Sequence, residues 1–175
     1  LFRSPNYYLR GTLDSNFFSI AGNSISQIYS DDDVDTVGYP SHCTFSDATE
    51  LSENGTSFRI TVSNYIGCDS IIDDIRFRKA LFKTGYNDII GNGGDFFLIA
   101  AKDSAYFQNS DYYIAYGGTN QTGSSLNITN ISDIMTDNTG QSYFEIEGEV
   151  TCKLYPYGIT NVYHQLTNAK FKLAV

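Results

Sequence analysis

Residues 124–175 alternate apolar and polar side chains through three successive stretches. That period of two is the pattern of a strand with one buried face. The stretches are Ser124-Ser-Leu-Asn-Ile-Thr-Asn-Ile131, Tyr143-Phe-Glu-Ile-Glu-Gly-Glu-Val-Thr-Cys-Lys-Leu154 and His164-Gln-Leu-Thr-Asn-Ala-Lys-Phe-Lys-Leu173, with turn signals between them. They place the chain in the all-β class.

Earlier segments extend the pattern. Strands are expected at Tyr7–Leu13, Phe17–Ala21, Ser24–Tyr29 and Ser57–Ser63, with a turn at Asp14-Ser-Asn16. Asp95–Ala101 is a continuous apolar run and reads as a central strand covered on both faces. Tyr112–Tyr116 is a further short strand, closed by Gly117-Gly118. Ile71–Phe82 fits either helical turns or a strand edge, and a short helix stopped by Gly85 is the preferred reading. Residues 31–56 are mostly polar and read as a long loop, a type of segment that often carries function. Eight to ten short strands, roughly, at regular spacing indicate an antiparallel β-sandwich, with a barrel as the alternative closure. Residues 1–175 form one domain on this reading, with at most one short helix.

Charge excludes some partners. Eleven Lys and Arg stand against twenty Asp and Glu, a formal charge of −9. The basic residues are scattered, so no phosphate-binding patch forms and a nucleic-acid partner is not expected. No apolar run approaches the 18 or so residues of a membrane-spanning helix. The chain opens on Leu1-Phe2-Arg3 without an initiator Met, so a targeting segment upstream is expected. Composition favours an extracytoplasmic setting. The sequons at Asn54, Asn120, Asn127 and Asn130 do not bear on this, because such triplets arise by chance in a chain rich in Asn, Ser and Thr.

Cys152 falls on the apolar face of its strand and is expected to be a buried free thiol. Cys43 and Cys68 lie in polar surroundings, and a disulfide between them would stabilise by roughly 3–4 kcal/mol. Two unpaired thiols, or a pairing through Cys152, are the alternatives. Zinc is disfavoured, since there is no C-x-x-C motif and only His42 and His164 could assist.

The C-terminal stretches also resemble small extracytoplasmic lipoproteins of Bacteroidota, in families known only as domains of unknown function. The resemblance rests on Ser125–Thr129, on Ile146-Glu-Gly-Glu-Val150, and on Leu166-Thr-Asn-Ala-Lys-Phe171. It extends to the opening Leu9-Arg-Gly-Thr-Leu-Asp-Ser-Asn-Phe17. Many such proteins carry Gly where this chain has Ala169. The resemblance implies a β-sandwich, a lipid anchor upstream of Leu1, and an outer-membrane, cell-surface or periplasmic location. It brings no catalytic residues.

Candidate chemistry is sparse. Asp31, Asp33 and Asp35 have the 1-3-5 spacing of calcium loops. The glycine and the closing glutamate of such a loop are replaced by Thr36 and His42, so a solvated acidic turn is the plainer reading and calcium the alternative. Glu145, Glu147 and Glu149 share a strand face that is expected to meet water. No nucleophile motif accompanies His42 or His164, and an enzyme is not expected. Tyr106, Tyr112, Tyr113, Tyr116, Tyr155, Tyr157 and Tyr163 make the best recognition surface, because tyrosine combines contact area with a polar tip. Of these, Tyr112, Tyr113, Tyr116, Tyr155 and Tyr157 are the leading choices. The expected role is a binding or accessory subunit of an outer-membrane protein complex. A carbohydrate-binding or adhesive module, and a structural subunit of a filament or virion, are the alternatives.

Overall fold

The computed structural model describes residues 7–22, 26–31, 43–53, 55–66, 75–87, 89, 96–103, 113–115, 119–156, 159 and 161–175. The strands are β1 (Tyr7–Leu13), β2 (Asn16–Gly22), β3 (Ser26–Asp31), β4 (Cys43–Glu53), β5 (Thr56–Ile66), β6 (Gly85–Asn87), β7 (Phe96–Asp103) and β8 (Tyr113–Ala115). They continue with β9 (Ser125–Ile131), β10 (Met135–Thr136), β11 (Ser142–Tyr143), β12 (Glu145–Pro156) and β13 (His164–Ala174). One helix, α1 (Ile75–Leu81), lies between β5 and β6.

All pairings among these strands are antiparallel. Six strands form one sheet in the order β2-β1-β13-β12-β9-β6. A second sheet runs β3-β4-β5-β7-β8 and ends on the last residues of β12. Alternation sorts the side chains. In the first sheet Leu9, Ile128, Ile146, Val150 and Phe171 are buried, and in the second Leu51, Phe58, Ile60, Val62 and Ile99 are buried. The two apolar faces meet, with the rings of Phe58 on β5 and Phe171 on β13 6.4 Å apart. Burying a Phe side chain stabilises by roughly 2–3 kcal/mol. The fold is therefore the expected all-β sandwich. The helix covers part of the core with Leu81 and the adjoining Phe82, whose ring meets Phe144 edge-on at 5.6 Å.

The joint between the sheets is in β12. This strand pairs with β9 as far as Thr151, and with β8 from Tyr155. Lys153 lies between the two partners, and a side chain fills the gap. Gln121 donates from Nε2 to the Lys153 carbonyl at 2.7 Å, and its Oε1 accepts from the Lys153 N–H at 3.1 Å. One amide side chain thus stands in for a strand neighbour and satisfies both backbone groups.

Two glycines set the spacing of the first sheet. A Cβ on Gly148 would lie 2.4 Å from the Asn127 carbonyl oxygen of β9 and 2.7 Å from the Phe171 ring. A Cβ on Gly11 would lie 2.6 Å from both Cα and Cβ of Ala169. Ala169 is accommodated because its cross-strand neighbour has no side chain. It follows a bulge in β13, where Asn168 takes a positive φ of 49° and its N–H donates to Thr151 Oγ1 at 3.0 Å.

Several expectations change. The segment 31–56, read as a long loop, contains β4. Its eleven residues pair with β5 without a register shift, from Cys43↔Ile66 to Glu53↔Thr56. β4 is polar because its partner strand, rather than its own hydrophobicity, holds it extended. Asp31 is the last residue of β3 and pairs with Ser46, while Asp33 and Asp35 lie outside the described residues. The ambiguous 71–82 stretch yields the short helix from Ile75. Gly85, expected to stop it, has φ of 104° and opens β6. Phe96–Asp103 is central, between β5 and β8.

β10 and β11 form a small hairpin whose turn depends on Asp137. Its Oδ1 accepts from the N–H groups of Thr139 (2.8 Å) and Gln141 (3.0 Å) and from the Thr139 hydroxyl (2.7 Å). The Thr139 hydroxyl bond, followed by the Gln141 amide bond, holds the carboxyl below the ordinary aspartate value. A depressed folded-state pKa gives stability that is present above the unfolded value and is lost as pH falls through the folded one. The turn should therefore stay closed at neutral pH and loosen below the ordinary aspartate range. The Thr139 and Gln141 amide shifts, followed by NMR during acid titration, should move together. Amides that stay fixed while Asp137 protonates would refute the linkage.

Candidate functional site

The connection from β12 to β13 leaves three apolar or aromatic side chains in solvent within five residues. Ile159 is 45 % exposed, Val162 56 % and Tyr163 47 %. Single exposed apolar residues are ordinary on protein surfaces; three within five residues of one connection make it the candidate surface. Connections carried by a rigid scaffold are where binding residues concentrate.

The scaffold here can be traced residue by residue. Beneath Tyr163 lies Tyr155, with ring centroids 5.5 Å apart and planes at 48°. Tyr155 is buried, and its hydroxyl donates to the Asn120 carbonyl at 3.0 Å. Lys153 places its ammonium 5.2 Å from the centroid of the Tyr163 ring, a cation–π contact. The backbone of Lys153 is itself held by Gln121. Ile159 donates its N–H to the Pro156 carbonyl at the end of β12 at 3.0 Å.

The first hairpin fixes the other end of the connection. Asp14 and Ser15, the two turn residues between β1 and β2, both have positive φ, 47° and 72°. Tight hairpins need that geometry, and Asn or Gly usually supplies it. Here Asp14 adopts it while bonding to the start of β13. Its N–H donates to the Gln165 carbonyl at 3.0 Å, its Oδ1 accepts from the Gln165 N–H at 2.8 Å, and its Oδ2 pairs with His164 Nδ1. The residues immediately after Tyr163 are thereby stapled to the β1–β2 turn.

The residues expected to form a site are placed as follows. Tyr155 supports the surface from below rather than presenting its ring to a partner, because β12 changes sheets there and both its sides are covered. Tyr113 is in β8, paired with Ala101 and Pro156 through the backbone. Tyr112, Tyr116 and Tyr157 lie outside the described residues. Cys43 begins β4, and Cys68 lies outside the described residues, as do the details of any Cys43–Cys68 pairing. Cys152 is free and buried, and burial pushes its thiol pKa up, which makes it unreactive. No group of three or more His, Cys, Asp or Glu able to hold a metal ion occurs among the described residues.

Of the exposed trio, Tyr163 belonged to the expected tyrosine set. Ile159 and Val162 did not stand out, although they are apolar residues in a stretch that reads as a turn. An apolar residue in a turn has no alternating neighbours to bury it, and that is the signal that could have found them.

What the geometry defines is an antiparallel β-sandwich with Ile159, Val162 and Tyr163 exposed on the connection from β12 to β13. No protein-family model matches the chain, and no curated protein or solved structure matches it either.

Proposed function

We propose that this chain is a non-enzymatic binding subunit. It works outside the cytoplasm as an accessory part of an outer-membrane protein complex, held near the membrane by an upstream lipid anchor. The resemblance of its first hairpin and last strands to extracytoplasmic lipoproteins supports the location. The observation that carries the binding role is the exposed Ile159, Val162 and Tyr163 on a connection braced by Tyr155, Lys153, Gln121 and Asp14. A braced tip loses little conformational entropy on docking, so more of its contact energy appears as affinity.

The test is a photocrosslinking amino acid at position 162, followed by gentle solubilisation of the membranes and mass spectrometry of the adduct. The expected adduct is one stoichiometric outer-membrane protein. Tyr163→Ala should weaken that complex by about 2 kcal/mol, roughly thirtyfold, and leave thermal stability nearly unchanged because the ring is half in solvent. A partner-free monomer in native membranes would sink the proposal.

A further inference from the structure

The register of the six-stranded sheet lines up one row of side chains across every strand of its outer face. Ser19 on β2 is opposite Arg10 on β1, which is opposite Lys170 on β13. Lys170 is opposite Glu149 on β12, Glu149 is opposite Asn127 on β9, and Asn127 is opposite Tyr86 on β6. At roughly 4.8 Å between strands, the row spans about 24 Å. The residues that flank these in sequence on β2, β9, β12 and β13 are buried in the core, so the row itself is turned outward.

Two features set this face apart. The first is its aromatic margins. Tyr86 on β6 is 82 % exposed, and Phe17 on β2, at the opposite edge of the sheet, is 78 % exposed. Phe17 heads a second row, in which it is opposite Thr12 and Thr12 is opposite Thr167. Nothing in the packing of the described core requires either ring to stand in water.

The second is charge. The chain carries −9, yet this face is close to neutral, with four cations, Arg10, Lys153, Lys170 and Lys172, against three carboxylates, Glu145, Glu147 and Glu149. Lys172 bonds Glu145 at 2.8 Å and Glu147 at 3.2 Å, and Arg10 lies 5.2 Å from the Tyr8 ring centroid. The Glu145 hydrogen bond holds the Lys172 ammonium above the ordinary lysine value. A face this close to neutral gives little net attraction to an anionic or a cationic ligand. It offers fixed donors and acceptors, amides and hydroxyls, between two flat apolar rings.

We propose that this outer face is a platform for an uncharged polysaccharide that runs across the strands from Phe17 to Tyr86. Sugar rings present apolar faces that stack on aromatic side chains, and equatorial hydroxyls that bond to carboxylate, amide and guanidinium groups. The length of the row suits a chain of several sugar units rather than a single one. The platform is separate from the tip at Tyr163 and does not depend on its role.

Affinity electrophoresis of the full chain tests this, with gels containing mixed-linkage β-glucan, xylan, galactomannan or amylopectin, and alginate as the anionic control. At least one neutral polymer should slow the chain and alginate should not. Phe17→Ala and Tyr86→Ala should each weaken that binding about tenfold, the equivalent of about 1.4 kcal/mol, and together about a hundredfold because the rings are far apart. Both rings are exposed, so the variants should keep the parent's thermal midpoint. Tyr163→Ala should bind polysaccharide like the parent, which separates this site from the tip. The proposal is overturned if no neutral gel slows the chain, if only alginate does, or if retardation survives both aromatic substitutions.

Discussion

Gly148→Ala should destabilise the fold by about 3 kcal/mol, at the upper end of overpacking effects. The added methyl would fall 2.4 Å from the Asn127 carbonyl oxygen, a backbone atom of the neighbouring strand. It would also meet the Phe171 ring at 2.7 Å, and Phe171 is one of the side chains joining the two sheets. Rotating a side chain relieves only the second clash. Relief of the first needs β9 to move away from β12, which breaks ladder bonds beside the bulge between Glu147 and Gly148. Urea unfolding should show a lower midpoint with an unchanged slope. A parent-like midpoint would mean that the strands are not this close. Gly11→Ala offers a comparison, because its clash is with Ala169. The double variant Gly11→Ala/Ala169→Gly should recover little of the loss, because the 2.6 Å clash with the Ala169 Cα remains, just as no single exchange on β9 can rescue Gly148→Ala.

Gln121→Ala should cost about 2 kcal/mol. The substitution strands both backbone groups of Lys153 where β12 passes from β9 to β8, and unsatisfied groups in such a place cost about 1–3 kcal/mol each before water enters. Partial solvent access at this edge sets the expectation below the sum. Gln121→Glu is the sharper probe. A carboxylate can accept from the Lys153 N–H but has no proton for the Lys153 carbonyl, so about half of the loss should remain. The Ser124 hydroxyl, which donates to Gln121 Oε1 at 2.5 Å, keeps an acceptor in the glutamate variant and loses it in the alanine variant. Hydrogen exchange at the Lys153 amide should rise sharply in the alanine variant and less in the glutamate variant. Equal exchange in all three proteins would show that Gln121 does not bridge the joint.

The strands with their own alternation were legible in the sequence. β1, β9, β12 and β13 each carry a half-buried pattern that needs no knowledge of neighbours, and they form four of the six strands of the first sheet. β4 was not legible. Thr44, Ser46, Asp47, Thr49 and Glu50 give no hydrophobic signal, and the strand exists because β5 pairs with it along its full length. Strand identity at β4 is a non-local property, and a local reading finds only a polar loop.

The candidate surface divides the same way. Tyr155 and Tyr163 are both tyrosines beside the same connection, and nothing in their immediate sequence separates them. Yet Tyr155 is 2 % exposed and Tyr163 47 %. At Leu154 and Tyr155 two adjacent residues are buried, against the alternation of the rest of β12. The strand is leaving one sheet and joining the other there, so core lies on both of its sides.

By itself the sequence determined that this chain is all-β, that Cys152 is an interior thiol, and which faces of the C-terminal strands point inward. Those follow from side-chain chemistry repeated at the period of a strand. Tertiary structure alone decided where the two sheets join, which tyrosine supports and which one is presented, and that Phe17 and Tyr86 stand at opposite margins of one face. These depend on which distant segments come together, and exposure is set by the surfaces that fail to meet as much as by the residues that carry them.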